Sequence, residues 1–418
     1  MLTYHIDRTG KMPLYDALYR AIRDDILAGR LAPGERLPSK RALAEHLHIS
    51  KVTVENAYGQ LFSEGYIYSR SRSGYYVEHG DWGTEGTVSP AFAAGVPAEQ
   101  KQMPQEEPLV IDFTRGSIDT ERFPFSVWSR LMRSVIADEG EHLLRAAPPG
   151  GVSVLREAIA AYLYRMRGLS VLPEQVIVGA GSEYLCQLLL QLLGREKCYA
   201  TETPGYPKMR RLFAANGVRQ VAVGMDASGV SPTLLAESGA DVLHFSPSHH
   251  FPTGIITSAA RRRELLTWAY AGKARYLIED DYDSEFRFVG KPVPTLMSAD
   301  SDGRVIYLNT FSKSIAPSIR ISYMVLPPRL LEKFTETLGF YASTVPAFEQ
   351  YTLARFLNEG YFEKHLARMK KYYRQTRDFL TAAIAASPYA DRITVREEDA
   401  GLHFLLQVRT ALSDAALK

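Results

Sequence analysis

The feature that most constrains the fold is a change in hydrophobic periodicity along the chain. Apolar side chains first recur at helical spacing, whereas beyond residue 110 amphipathic helices alternate with short apolar strands. Between 79 and 110 this periodicity is lost, and Gly, Pro, Glu, Gln and Ala dominate. Alternating helices and strands favour an α/β sheet. We therefore predict a small helical domain at 1–78, a linker at 79–110 and a large α/β domain at 111–418.

The linker has two interpretations. As a flexible coil of about 30 residues it would span about 30 Å, enough for the first domain to reach a partner subunit. Alternatively it is an ordered arm lying along the large domain, anchored by Trp82 and Phe92.

Composition excludes several classes of protein. The chain has 418 residues with 46% apolar and 23% charged residues and a net charge of +2, so any surface that binds nucleic acid must be local. The cysteines, Cys186 and Cys198, lack metal-ligand spacing, and we expect both to be small buried apolar groups in a reducing compartment. No metal site is predicted.

The N-terminus does not resemble a signal peptide and no apolar stretch is long enough to span a bilayer, so we expect a cytoplasmic protein.

The first domain has the pattern of a winged helix-turn-helix. A first helix is predicted from Pro13 to Gly29, and Ser39 and Ser50 are placed to cap two further short helices. Two short helices joined this tightly are typical of a helix-turn-helix. The segment from Tyr66 to Val77 then predicts two short strands joined by a turn.

Charge in this domain suggests contact with DNA. Six basic and three acidic residues lie between Arg36 and Arg72. We expect Lys51 and Thr53 to face major-groove edges, and Arg41, Arg70 and Arg72 to hold phosphates. The alternative is an ordinary solvated helical surface. The complete set of predicted DNA-binding residues is Ser39, Arg41, Ser50, Lys51, Thr53, Arg70, Arg72 and Gly74.

Motifs over residues 12–77 resemble the winged helix-turn-helix of the GntR family of bacterial transcription regulators. They are Pro13 to Tyr15, Gly34 to Arg41, Ser50 to Val54, Ala57-Tyr58, Glu64 to Tyr66 and Gly74. Lys51 stands where that family more often has arginine, which keeps the charge but changes its hydrogen-bonding geometry.

In the large domain, Lys313 follows a predicted strand, Arg304 to Leu308. Ligands of open α/β sheets bind at strand ends. Thr310 and Ser312 could donate hydrogen bonds to a phosphate, and Arg320 could clamp it. Taken alone, the pattern also fits a solvated loop lysine.

Other predicted strand ends carry matching chemistry. Gly181 to Glu183 open a helix after a strand and a glycine turn, a geometry that binds anions, although a plain tight turn is an alternative. Tyr206 follows another strand and could stack on a flat ring. Asp280 and Asp281 follow a third, where an acid needs a cationic partner. A lysine, an acid and phosphate donors together fit pyridoxal 5'-phosphate (PLP).

These motifs resemble fold-type I aminotransferases, and the order of the two domains resembles MocR-type, GabR-like regulators within the GntR family. The resemblance implies a three-layer α/β/α fold and a homodimer. It implies Lys313 as the Schiff-base lysine, Asp280 on the pyridine nitrogen and Tyr282 on the ring oxygen. Spacing does not decide which of Asp280 and Asp281 faces the ring; the resemblance favours Asp280, and we then expect Asp281 to be a surface or capping acid. The cofactor contacts expected in full are Gly181, Ser182, Glu183, Tyr206, Asp280, Tyr282, Thr310, Ser312, Lys313 and Arg320.

The sequence departs from the family at four points. Phe251 replaces an asparagine that contacts the ring oxygen, which favours sensing over turnover. His250 replaces glutamine, and His249 and His250 are equally compatible with near-core histidines or cofactor contacts. Lys208 stands where an arginine binds the effector carboxylate. The resemblance also implies further strands and an arginine beyond Lys418, so we expect a truncated small subdomain, a weakened effector site and an exposed sheet edge.

We expect a regulator that binds an operator in double-stranded DNA and senses a small amine or amino acid through aldimine exchange at Lys313. An active aminotransferase with an appended DNA-binding domain is the alternative, and efficient turnover is not expected. A degenerate scaffold used for dimerisation is a third possibility. The effector, the operator sequence and the sign of regulation do not follow from the sequence.

Overall fold

The computed structural model describes residues 2, 4, 12–70, 73–80, 118–288, 290, 293–399 and 401–413. The chain divides into two compact units, Met1–Ile111 and Asp112–Lys418, here called the head and the body. Most of the predicted linker lies outside the described residues, including Trp82 and Phe92, and so does Arg72. Among the described residues no helix combines the length and the apolar character needed to cross a membrane.

The described part of the head has three helices followed by a hairpin. These are α1 (Leu14–Leu27), α2 (Lys40–Leu47), α3 (Lys51–Ser63), β1 (Ile67–Arg70) and β2 (Gly74–Val77). Apolar side chains at helical spacing form its core, among them Leu18, Leu43 and Tyr58. The predicted winged helix-turn-helix is therefore confirmed.

Two serines set the starts of the second and third helices, as predicted. The Ser39 hydroxyl accepts a hydrogen bond from the Ala42 amide at 3.1 Å, and the Ser50 hydroxyl accepts one from the Thr53 amide at 3.1 Å. Each satisfies an amide that the helix itself leaves without a partner.

The body is built on an eight-stranded sheet whose order is β3-β10-β9-β8-β7-β4-β5-β6. The strands are β3 (Val176–Gly179), β4 (Cys198–Thr203), β5 (Arg219–Asp226), β6 (Gly229–Val230), β7 (Val242–Phe245), β8 (Tyr276–Asp280), β9 (Val305–Thr310) and β10 (Ser322–Val325). Neighbours from β9 through β8, β7 and β4 to β5 run parallel. β10 pairs antiparallel with both β3 and β9.

Helices cover both faces of this sheet. They are α4 (Phe125–Glu139), α5 (Ser153–Arg167), α6 (Ser182–Leu193), α7 (Pro207–Ala215), α8 (Pro232–Glu237), α9 (Ala259–Tyr270), α10 (Pro328–Leu338), α11 (Ala347–Asn358) and α12 (Tyr361–Ala385). Successive strand residues point to opposite faces, so Ile306 and Leu308 pack with α6, whereas Tyr307 packs with α5 and α11. The three-layer α/β/α fold predicted from the sequence is confirmed, and Cys186 and Cys198 are buried as expected.

The C-terminal hairpin pairs β11 (Ile393–Arg396) with β12 (Leu405–Val408). Residues 401–404, directly before β12, do not belong to a strand. The Gly401 amide donates to the Phe286 carbonyl at 2.9 Å, and the Leu402 amide donates to the Asp283 carboxylate at 3.3 Å. These bonds fix this segment to the body before strand pairing begins.

Asp281 was predicted to be a surface or capping acid, and that prediction is wrong. The side chain is fully buried on the sheet face opposite α6, where its Oδ2 lies 2.7 Å from the Arg167 guanidinium. The hydroxyls of Tyr307 and Ser284 donate to the same oxygen at 2.6 and 2.8 Å. Burial would lower the pKa of Arg167, but the charge of Asp281 and neighbouring acids raises it.

Arg167→Met should destabilise the body by about 3–5 kcal/mol, because it leaves the Asp281 carboxylate buried without its cation. The control is Arg165→Met, since Arg165 pairs with Glu363 at the surface and should cost about 0–1 kcal/mol. Urea unfolding followed by circular dichroism measures both losses. Equal, small losses in the two variants would contradict the assignment.

Candidate functional site

The parallel strands of the body sheet end at one edge, and a cavity of about 440 Å³ opens there. Every cofactor contact predicted from the sequence lines this cavity. These residues are Gly181, Ser182, Glu183, Tyr206, Asp280, Tyr282, Thr310, Ser312, Lys313 and Arg320. Lys208, the predicted effector contact, lines it as well. The sheet therefore brings together residues that lie far apart in the sequence.

One end of the cavity is suited to an anion. Helix α6 begins at Ser182, and its N-cap residue, Gly181, has no side chain to cap the first turn. The Glu183 amide is bonded to the carboxylate of Glu183 itself, and the helix N-terminus is a favourable place for an anion. Gly181, which precedes the helix, has φ +96°, a conformation that favours glycine. A Cβ atom at this position would overlap the Arg320 guanidinium, so the glycine keeps the space beside the arginine open.

Hydroxyl groups from the segment after β9 line the same end. The Ser312 hydroxyl is buried and has no hydrogen-bond partner among the described residues. The Thr310 hydroxyl accepts hydrogen bonds from the Ser312 amide at 3.1 Å and from the Ser322 hydroxyl at 2.8 Å, so its own proton remains available for donation. These groups are the kind of donor set that a phosphate requires.

The floor of the cavity carries a carboxyl group at the end of β8. Asp280 is half-buried, and its Oδ2 lies 3.3 Å from Nε2 of the buried His244. Asp280 and Asp281 are adjacent, but of the two only Asp280 lines the cavity. An acid in this position could pair with a protonated ring nitrogen.

Three aromatic side chains, those of Tyr206, Phe251 and Tyr282, line the cavity and are here called the aromatic wall. The Tyr206 ring meets Phe251 edge to face, with centroids 5.9 Å apart, and is 48% exposed, so one ring face is available for stacking. The Tyr282 hydroxyl lies 3.4 Å from Nδ1 of His249. Burial, followed by the charge of Asp283, raises the pKa of Tyr282, so it can act as a hydrogen-bond donor at neutral pH.

Lys313 lies just beyond Thr310 and is half-buried. Burial lowers the pKa of its amine, and the charge of Asp283 opposes this effect. A lysine with a lowered pKa has a larger fraction of neutral amine, which is the nucleophilic form. The alternative reading, a solvated loop lysine, does not fit its position in the cavity wall.

Lys208 was predicted to bind an effector carboxylate, and the structure pairs it with an acid of the protein itself. Its ammonium group forms an ion pair with Oε1 of Glu183, whose Oε2 lies 2.8 Å from the Arg320 guanidinium. The sequence predicted Glu183 as part of the anion cradle and did not anticipate that its side chain would bridge two cations.

Glu202 lines the cavity but was not predicted from the sequence. It is buried near the end of β4, where one carboxyl oxygen accepts the Ser246 amide at 3.0 Å and the other has no partner among the described residues. Burial and the nearby Asp280 raise the pKa of Glu202 to about 8, although the Ser246 amide opposes this shift. The available signal was its position in the sequence, two residues before the turn that begins at Pro204 and leads to Tyr206.

His249 and His250 are both buried and hydrogen-bonded. Nδ1 of His249 lies 2.9 Å from the Asp283 carboxylate, and Nδ1 of His250 lies 2.7 Å from the Thr253 hydroxyl. Neither is among the residues that line the cavity, so near-core histidines are the better of the two interpretations. Burial lowers the pKa of His250 to about 4, so it is neutral at pH 7.

His249, Asp283 and His403 bring one ligand atom each within 4.8 Å of one another. Asp283 already accepts hydrogen bonds there, and Arg167 and Arg287 line the adjoining cavity, which opposes the binding of a cation. We therefore interpret the cluster as the contact that fixes His403 and its loop against the body.

Of the DNA contacts predicted in the head, the described ones lie at the starts of α2 and α3 and in the hairpin. Lys51 is 64% exposed and 3.4 Å from Glu55, whereas Arg41 is 84% exposed beside Glu45. Arg70 lies over the rings of Tyr68 and Tyr76, two aromatic supports that were not predicted. Gly74 begins β2 with φ +114°.

Glu202→Gln should flatten the pH dependence of stability between pH 5 and 8. Because the pKa of Glu202 is higher in the folded protein, the folded state binds more protons, and wild-type stability falls as the pH rises through this range. The slope attributable to this one group is at most about 1.4 kcal/mol per pH unit. Urea midpoints of both proteins at pH 5, 6, 7 and 8 measure it; parallel curves would contradict the raised pKa.

Comparison with known proteins finds a matching family for the head and another for the body. Residues 14–77 match the family of bacterial regulatory proteins described as gntR, and residues 109–417 match aminotransferase class I and II. A crystal structure of an archaeal alanine:glyoxylate aminotransferase superimposes with a TM-score of 0.61 at 26% identity, covering 68% of this chain and 71% of that chain.

Two relatives share the arrangement over nearly the whole chain. The uncharacterized HTH-type transcriptional regulator YdeL of Bacillus subtilis is 41% identical, with 97% of this chain and 86% of YdeL covered. The probable rhizopine catabolism regulatory protein MocR of Rhizobium meliloti is 34% identical, with 99% and 85% covered. The chain therefore belongs to the MocR-type HTH transcriptional regulators of the GntR family, with a body of the class I and II aminotransferase fold.

Proposed function

We propose that this regulator binds PLP in the body cavity and senses a small amine or amino acid at Lys313. The observation that carries the proposal is the convergence of a lysine amine, a carboxyl group and a set of anion donors on one cavity. The class I and II aminotransferase fold family is PLP-dependent, and the residues of this cavity fit that cofactor.

Each part of the cavity would hold one part of the cofactor. The amides at the start of α6, the Ser312 hydroxyl and the Arg320 guanidinium would bind the phosphate. Tyr206 would pack against the ring, and the Asp280 carboxylate would pair with the ring nitrogen and keep it protonated. When bound, PLP supplies an aldehyde carbon that bonds to an amine and a ring that withdraws electrons from it.

Lys313 has two tasks in this proposal. Its amine would hold the cofactor when no effector is present, and its lowered pKa favours the neutral, nucleophilic form. An effector amine would take the place of Lys313, and Lys208 would be available to a carboxylate on the effector only if it left Glu183. Release of the Lys313 side chain is then the local event that reports the effector.

For regulation, effector binding in the body must change how the head binds DNA. We propose a homodimer in which the body shifts between conformations when the effector binds and alters the spacing of two heads on their half-sites. Lys51 and Thr53 at the start of α3 would contact base edges, while Arg41 and Arg70 would contact phosphates.

A second candidate is aminotransferase activity. It is favoured by one observation, the position of the Lys313 amine in the same cavity as Asp280, where the released amine could move a proton. Phe251 opposes it because its ring cannot donate a hydrogen bond to the cofactor. Repeated transfer of an amino group to a keto acid, measured over many turnovers, would establish this second candidate.

Lys313→Ala should abolish the visible absorbance band that forms when PLP is added, while circular dichroism shows a folded protein. The reason is that the amine bonded to the cofactor has been removed. Lys364→Ala is the control, since Lys364 lies over the ring of Tyr361 outside the cavity and should leave the band unchanged. A band that persists in Lys313→Ala would show that another residue anchors the cofactor.

Lys51→Ala and Arg41→Ala should weaken DNA binding in different ways. With an operator selected from random duplexes, Lys51→Ala should reduce discrimination against a scrambled sequence by about 5- to 100-fold. Arg41→Ala should weaken both sequences alike and lower the slope of log affinity against log salt by about one. Arg20→Ala, on α1, removes the same charge as a control. Identical behaviour of all three variants would contradict the assigned roles.

A further inference from the structure

The side chain of Glu183 occupies the anion-binding end of the cavity. One carboxylate oxygen is paired with the Lys208 ammonium group, and the other accepts a hydrogen bond from the Arg320 guanidinium at 2.8 Å. The carboxylate also accepts a hydrogen bond from its own backbone amide, in the first turn of α6. Three donors from three different segments therefore converge on one internal carboxylate.

These donors have the chemistry that a phosphate would use. Helix N-terminal amides and an arginine fork are the usual partners of phosphate groups, and a lysine adds a point charge. The Ser312 hydroxyl, buried and without a partner among the described residues, points to an anion larger than the carboxylate alone. The Glu183 carboxylate thus bonds to some of the donors that a phosphate could use, but it leaves the Ser312 hydroxyl without a partner among the described residues.

Glu183 keeps its negative charge at physiological pH. Burial tends to raise its pKa, but the hydrogen bonds from Lys208, its own amide and Arg320 lower it to about 2. A phosphate that approaches these donors therefore meets a charge of the same sign, and it gains the full contact with Arg320 only if the carboxylate moves away.

We propose that Glu183 is an internal competitor for phosphate, whose carboxylate must leave Arg320 and Lys208 before a phosphorylated ligand binds. The inference rests on the proposed function for the identity of that ligand, PLP. It gives the cavity a built-in limit on cofactor affinity, since each binding event must break two ion pairs within the protein. The same displacement separates Lys208 from Glu183, so its ammonium group becomes available to an anion in the cavity.

A different role for Glu183 leads to the opposite expectation. If the carboxylate serves to orient Arg320 for the phosphate, removing it will weaken phosphate binding. Glu183→Gln and Glu183→Ala distinguish the two roles because neither carries the charge, and the first keeps the size of the side chain.

The test measures three ligands on the full chain: PLP by its absorbance on binding, pyridoxal by the same signal, and inorganic phosphate by calorimetry. Both Glu183 variants should bind PLP and inorganic phosphate about tenfold more tightly than wild type, because a like charge has been removed from the phosphate end. Affinity for pyridoxal, which lacks the phosphate, should change by less than about twofold. Glu363→Gln removes the same charge from the remote Arg165 pair and should change none of these affinities.

Lys208→Gln sharpens the test. In wild type the loss of Lys208 removes a phosphate partner and also an ion pair that binding must break, so these two effects should nearly cancel. In the Glu183→Gln background no such pair exists, and the loss of Lys208 should weaken phosphate binding about tenfold. Equal effects in both backgrounds, or weaker phosphate binding by both Glu183 variants, would overturn the inference. If PLP gives no absorbance band with wild type, the proposed function fails, and the inorganic phosphate measurements still decide the role of Glu183.

Discussion

The direction of the strands in the body sheet is the constraint on which the site depends. Because β4, β7, β8 and β9 run parallel, Tyr206, Asp280 and Lys313 all follow strand ends at the same edge. Helices cover both faces of the sheet, so polar groups that serve a ligand have to gather at this edge. A reversed strand in this set would carry its functional side chain to the opposite end of the body.

Two glutamates that line the cavity differ in charge, because burial controls the pKa of Glu202 whereas hydrogen bonds control the pKa of Glu183. Burial raises the pKa of Glu202 to about 8, so this acid is largely neutral at pH 7. The pKa of Glu183 is lowered to about 2 even though burial opposes the shift, because cations and an amide surround it. Two glutamates of one cavity therefore differ in charge, and the charged one lies among the donors suited to phosphate.

Much of the fold could be predicted from the sequence because it rests on local patterns. Apolar spacing and two capping serines placed the helices of the head, and short apolar runs placed the central strands of the body. The partners of Asp281 could not be predicted, because Arg167 is remote in sequence and spacing alone does not fix the face of the sheet on which an acid lies. The bridge that Glu183 forms between Lys208 and Arg320 was missed for the same reason.

The aromatic wall bears on the choice between sensing and turnover. Phe251 packs against Tyr206 at 5.9 Å and against His403 at 5.3 Å between ring centroids, so it connects the wall of the cavity to the loop that precedes β12. An asparagine at this position would offer a hydrogen bond to the ring oxygen of the cofactor but little packing. Phe251 exchanges that hydrogen bond for apolar contact, which leaves Tyr282 as the nearby donor. Phe251 thus places Tyr206 and His403 in one chain of ring contacts, through which a displacement of the Tyr206 ring would reach the loop before β12.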